Sequence, residues 1–107
     1  MQPEFMYPAA SAGDVDVISA YTSDGRIAQH DLVVIADEKH AIPSYDAILL
    51  VAPKRAADTM LREALTPLIG AIDVETMRAA NLQANGNDAA AAPDAVARWL
   101  WEKVGKR

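Results

Sequence analysis

Apolar residues along this chain change their spacing near Pro53. Before it they come in short runs, and after it they recur at intervals of three and four. Val15-Asp16-Val17-Ile18-Ser19-Ala20-Tyr21 alternates in part, which predicts a strand with one partly polar face. Thr22-Ser23-Asp24-Gly25 is a turn signature, with Gly25 free to take positive φ. Asp31 to Ala36 reads as a second strand, almost continuously apolar. Asp37-Glu38-Lys39-His40 is a polar turn, and Pro43 biases the loop from Ala41 to Asp46 toward extended backbone. Ala47-Ile48-Leu49-Leu50-Val51-Ala52 is the most hydrophobic run; it predicts a strand buried on both faces and ended by Pro53.

The remaining segments carry helical spacing. Pro3 to Gly13 predicts a short helix closed by Gly13, with Pro8 interrupting it or marking its real start. From Arg55 to Ile69 the apolar positions Met60, Leu61, Leu65 and Leu68 fit a helix whose final turn is strained by Pro67, and Gly70 follows where a C-cap belongs. Asp73 is a good N-cap for a helix from Val74 to about Gln83. Asn85 to Pro93 reads as a linker. Pro93-Asp94 opens a last helix on which Val96, Trp99, Leu100 and Val104 share one face. Trp101 falls roughly 200° from Trp99 around that axis, so it is exposed or is buried by another chain. The expected class is α/β, with three short strands and about four helices. Buried strands need cover on both faces, yet the helices gather at the C-terminal end, so part of the cover is expected from oligomerisation.

Composition narrows the function. The 107 residues allow one domain at most, and 51% hydrophobic with 23% charged residues is ordinary for a globular protein. A net charge of −5 with scattered Lys and Arg argues against nucleic acid and anionic membrane surfaces, and suits a cationic small molecule weakly. With no cysteine there is neither a disulfide framework nor a thiolate site. No run is long enough to span a membrane. Met1 is followed at once by Gln2-Pro3-Glu4, which carries no signal for secretion, so the chain as given is expected in the cytoplasm and any export address would lie upstream.

Chemistry-bearing motifs are few. His30 and His40 lie near Asp31, Asp37 and Glu38, but no metal-ligand spacing joins them, and solvated turn residues are the expectation. No nucleophile, phosphate-binding or dinucleotide motif occurs. We therefore expect no enzyme activity, no metal and no cofactor.

The blocks Phe5-Met6-Tyr7, Gly13-Asp14-Val15-Asp16-Val17-Ile18 and Ala20-Tyr21-Thr22-Ser23-Asp24-Gly25-Arg26-Ile27, in that order, form one side of a pattern. It continues through Asp31-Leu32-Val33-Val34, Pro43-Ser44-Tyr45-Asp46-Ala47, Gly70 with Met77 to Leu82, and Ala97-Arg98-Trp99-Leu100. Together they resemble the C-terminal third of the substrate-binding proteins of glycine betaine/choline (quaternary amine, osmoprotectant) ABC importers. The resemblance implies part of one lobe of a type II periplasmic-binding-protein fold, working outside the cytoplasm with a cognate permease. Residues 1–20 would then end the second lobe and carry a hinge strand, and residues 21–107 would form the C-terminal part of the first lobe.

The family encloses a trimethylammonium head in tyrosine rings, and two of those rings match Tyr21 and Tyr45. The chemistry requires such residues. A quaternary ammonium has no N–H to donate, whereas each electron-rich ring face contributes roughly 0.5–2 kcal/mol. Without the resemblance, a tyrosine at a strand end is an ordinary packing residue, and Tyr7 is read as core packing. Thr22 and Ser23 either donate to a ligand carboxylate or cap the turn. Asp24 and Arg26 either support the loop bearing Tyr21 near the hinge or form a solvated turn with an unrelated arginine. The chain has Ile42-Pro43-Ser44-Tyr45 where the family often shows Phe-Pro-Pro-Tyr, which loosens that loop and removes one aromatic wall. Two rings of a larger cage imply weak binding. The incomplete sheet implies a homo-oligomer, with the N-terminal helix and strand exchanged between copies. The alternative is a protein-interaction or structural module that kept the fold and lost the ligand.

Overall fold

A computed structural model describes residues 2–85 and 91–105. Among them are five α-helices, α1 (Pro3–Ala12), α2 (Arg26–Gln29), α3 (Thr59–Leu65), α4 (Val74–Asn85) and α5 (Pro93–Val104), with 3-10 turns at Pro53–Arg55 and Thr66–Leu68. Most of the linker expected over Asn85 to Pro93 lies outside the described residues.

The three expected strands are absent. Val15 to Tyr21, Asp31 to Ala36 and Ala47 to Ala52 form no β-ladder, and the described residues contain no strand. The α/β assignment is therefore replaced by a helical one. Continuous apolar runs state a need for burial, but a strand exists only when a second edge accepts its backbone hydrogen bonds. No described segment supplies that edge. Val33 is left 88% exposed and Leu50 87% exposed.

The chain forms two compact units, residues 1–34 with 72–107, and residues 35–71. The first holds the core. Its buried side chains are Tyr7 from α1, Ile27 from α2, Ala80 from α4 and Val96 from α5, and α4 packs on both α2 and α5. Burying side chains of the size of Ile27 and Val96 stabilises by roughly 1.5–3 kcal/mol each, so this is a thin core in which single residues matter.

Local chemistry explains each helix of this unit. α1 starts at Pro3, runs through Pro8 and ends at Gly13. Gly13 at φ 79° closes the helix: its N–H donates to Ala10 O at 3.2 Å and that of Asp14 to Ala9 O at 2.9 Å, a left-handed cap that glycine adopts without Cβ strain. Pro8 neither breaks nor starts the helix; it only leaves the Glu4 carbonyl without its helical donor. α4 begins where Asp73 Oδ1 accepts the N–H of Thr76 at 2.8 Å. On α5, Val96 is buried and Trp99, Leu100 and Val104 are half-buried, as the spacing predicts, while Trp101 is 66% exposed.

In the second unit the single helix expected from Arg55 to Ile69 is three pieces. Asp58 starts α3 by accepting the N–H of Leu61 at 3.0 Å, and it pairs with Arg55 at 2.8 Å. Pro67 cannot donate to Glu63, so the last turn tightens into a 3-10 turn, with Thr66 Oγ1 donating to Arg62 O at 2.7 Å. No described residue of this unit is fully buried.

Candidate functional site

Residues 21–26, the tyrosine-bearing turn, belong to the first unit and sit against α4. The turn closes when the Asp24 N–H donates to Tyr21 O at 2.9 Å. Gly25, free to take positive φ, has φ −63° and ψ −25° as the cap of α2. Glycine is needed there for a different reason: a Cβ would stand 2.4 Å from the backbone nitrogen of Leu82 and 2.6 Å from its Cα. Loop and helix meet backbone to backbone.

Two side chains of α4 reach the loop. Arg78 donates from Nε and Nη2 to the carbonyl of Thr22 at 2.9 and 2.7 Å. Asn81 Nδ2 donates to the carbonyl of Ser23 at 2.8 Å. From the other side, Asp24 Oδ1 accepts the backbone N–H and the Nε of Arg26 at 2.9 and 3.0 Å, and its Oδ2 accepts from Nη2 at 2.7 Å. Arg26 in turn lies over the ring of Tyr7, 4.3 Å from its centroid, and His30 stacks on that ring at 6.2 Å.

Electrostatics follow this geometry. Hydrogen bonds from the Arg26 side chain bring the Asp24 carboxyl down to about 2, against the opposing effect of burial. Burial, helped by the hydrogen bond to Asp24, pushes the Tyr7 phenol up to about 12. The Arg26 guanidinium is raised by the same carboxylate. All three groups hold their charge states at neutral pH.

Tyr21 stands at the start of this loop, 63% exposed. Thr22 is exposed and Ser23 half-buried; what α4 holds are their carbonyl oxygens. Tyr45 lies in the second unit, 84% exposed. Its flanks are organised by two aspartates. Asp37 accepts the N–H groups of Ala41 and Ile42 at 3.1 and 2.7 Å, which lowers its carboxyl pKa, and Asp46 accepts from Ser44 Oγ at 2.7 Å. Tyr21, Thr22, Ser23, Asp24 and Arg26 are thus brought together on one turn, and Tyr45 stands on another segment. Among the described residues no group of three or more His, Asp or Glu side chains is arranged to hold a metal, and no helix is long and apolar enough to cross a membrane.

Arg78 and Asn81 are not visible from motif reading, because a backbone carbonyl leaves no mark on a sequence. Besides lying in the block from Met77 to Leu82, they carry the signal that positions 78, 81 and 82 share a helical face.

No solved structure was found to match the chain. The carnitine transport binding protein OpuCC of Listeria monocytogenes serotype 1/2a (strain 10403S) is 32% identical over 87 residues, which cover 80% of this chain and 28% of that protein. A second Listeria monocytogenes protein of the same name gives the same figures. The chain therefore spans less than a third of the length of these relatives. The model of a family described as the substrate binding domain of the ABC-type glycine betaine transport system matches residues 1–102, and to that family of substrate-binding domains the chain belongs.

Proposed function

We propose that this chain is a compatible-solute binding module whose Tyr21 and Tyr45 contribute ring faces to a cage for a quaternary ammonium head. The observation that carries the reading is Tyr21: a ring 63% exposed on a loop tied to α4 through Arg78 and Asn81. An exposed aromatic on a fixed support suits a ligand that offers no directional hydrogen-bond anchor. Asp24 and Arg26 support the loop, and the Thr22 and Ser23 hydroxyls, next in sequence to Tyr21, are donors for a ligand carboxylate. Glycine betaine, choline and carnitine share the trimethylammonium head, and carnitine is the solute in the relatives' name. Binding would take place outside the cytoplasm, with delivery to a cognate ABC permease, and requires neither metal nor cofactor.

The test is calorimetric titration of the chain with each of the three solutes, repeated on Tyr21→Ala and Tyr45→Ala. We expect millimolar binding, weakened further by each substitution. Micromolar binding would overturn the partial-cage reading, and binding indifferent to both substitutions would overturn the cage itself.

A second reading is favoured by exposed apolar side chains on each unit, Val33 and Trp101 on the first and Leu50 on the second: a module that pairs with a second copy of this chain, with or without exchange of α1. A monomeric mass in light scattering at micromolar concentration counts against it.

A further inference from the structure

The contacts between α4 and the loop have an unusual selectivity. Arg78 spends two donors on one acceptor, the carbonyl of Thr22, and Asn81 takes the next carbonyl along, that of Ser23. Arg78, Asn81 and Leu82 are spaced i, i+3 and i+4, so one face of the helix makes these contacts. The Leu82 backbone fills the space beside Gly25. All of these contacts engage main-chain atoms of the loop. On the far side the loop is tied through Asp24 and Arg26 to Tyr7 of α1. A segment held by its backbone from α4 and through its Asp24 and Arg26 side chains from α1 has its first side chain aimed by the fold.

We infer that Arg78 and Asn81 are positioning residues that fix the 21–25 turn from α4 and so preset the ring of Tyr21 before a ligand arrives. The meaning of this for binding rests on the cage reading above; the fixing of the turn does not. Their value to a binding site lies in preorganisation: a ring already in place costs no ordering entropy when the ligand enters.

The experiment measures backbone 15N relaxation on the full chain, for wild type, Arg78→Ala, Arg78→Lys and Asn81→Asp, beside titration with glycine betaine. Wild-type amides of Thr22, Ser23 and Gly25 should have order parameters near ~0.85, falling below ~0.6 in Arg78→Ala and Asn81→Asp, while those of α4 are retained. Arg78→Lys restores the charge and one donor and should fall between. Asn81→Asp keeps the side-chain shape and removes the donor, so it carries the test should Arg78→Ala fail to fold. Betaine affinity should drop roughly tenfold with the loop order. A turn that stays rigid in both variants overturns the inference, as does a loosened turn with unchanged betaine affinity. A turn that loosens in a chain whose wild type binds no betaine supports the clamp and removes the cage reading instead.

Discussion

The guanidinium carbon of Arg26 lies 4.3 Å from the ring centroid of Tyr7, and that ring is 3% exposed. One tyrosine therefore serves as the core residue of α1 and as the floor under the Asp24–Arg26 pair. Truncating it removes both roles. Tyr7→Ala should destabilise by about 3 kcal/mol, as large-to-small changes of buried aromatics do. Tyr7→Phe keeps the ring and loses only the phenol hydroxyl that interacts with Asp24, at a cost of about 1 kcal/mol. Urea denaturation followed by circular dichroism gives both values, and equal losses in the two variants would show that the ring contributes nothing to the core.

The Asp24 carboxyl, held at about 2 in the folded chain against an ordinary 3.8, fixes the sign of the acid response. A lowered folded pKa adds stability that is fully present above the unfolded value and is lost as pH falls through the folded one. The denaturation midpoint should be nearly flat from pH 7 to 5 and should fall between about pH 4 and pH 2. The full shift corresponds to about 2 kcal/mol; the Arg26 side chain is 40% exposed, so solvent screening reduces it to about 1 kcal/mol. Asp24→Asn should be less stable at pH 7 and should lose part of the acid-side fall. An unchanged acid limb in Asp24→Asn would remove this pair from the account.

At the alkaline end the sign reverses. The Tyr7 phenol is raised from 10.0 to about 12, so the neutral form is favoured by folding and its stabilisation is lost as pH rises from about 10 to 12. Phenolate absorbance should show one tyrosine ionising near the top of that window, and Tyr7→Phe should abolish that step. Ionisation of the late tyrosine below pH 11 would contradict the buried placement.

The parts of this fold that were legible in the sequence are those with local causes. α5 follows from Pro93 and the spacing of Val96, Leu100 and Val104, and α4 follows from Asp73, whose carboxylate accepts the Thr76 N–H. Caps and helical faces are written within a few residues of where they act. Ala47 to Ala52 carries an equally strong signal for a strand, but pairing depends on a second edge, which periodicity cannot report. Gly25 was recognisable as a turn residue, but the reason for glycine was not, since Leu82 is its neighbour in space alone. The same holds for the site. Tyr21, Asp24 and Arg26 are adjacent in sequence and were singled out together, whereas Arg78 acts across 56 residues on an atom every residue possesses.

Gly25 also yields a contrast with Gly13. Gly13 has positive φ and open space around a would-be Cβ, so Gly13→Ala should cost only backbone strain, about 1 kcal/mol. Gly25 has an ordinary φ and no room. Gly25→Ala must push α4 from the loop and should cost about 2 kcal/mol, in the range of overpacked sites. It should also shift the backbone resonances of Asn81 and Leu82. A stabilised Gly25→Ala would mean that the loop and α4 are further apart than described.

Leu50 sits 87% exposed in an apolar segment of the second unit. Such a side chain contributes little to the fold of the single chain, so Leu50→Lys should change its unfolding free energy by less than about 0.5 kcal/mol. Association is where it should act, because exposed apolar surface drives pairing between copies and a charged lysine in that surface opposes it. Sedimentation velocity at micromolar concentration should show wild type self-associating and Leu50→Lys shifted toward monomer. Val96→Ala is the informative control. Its side chain is buried in the first unit, so it should cost about 2 kcal/mol in stability while leaving the association of the folded chain unchanged. The opposite pattern, with Leu50→Lys unfolding the chain, would place Leu50 in a core and refute its exposure.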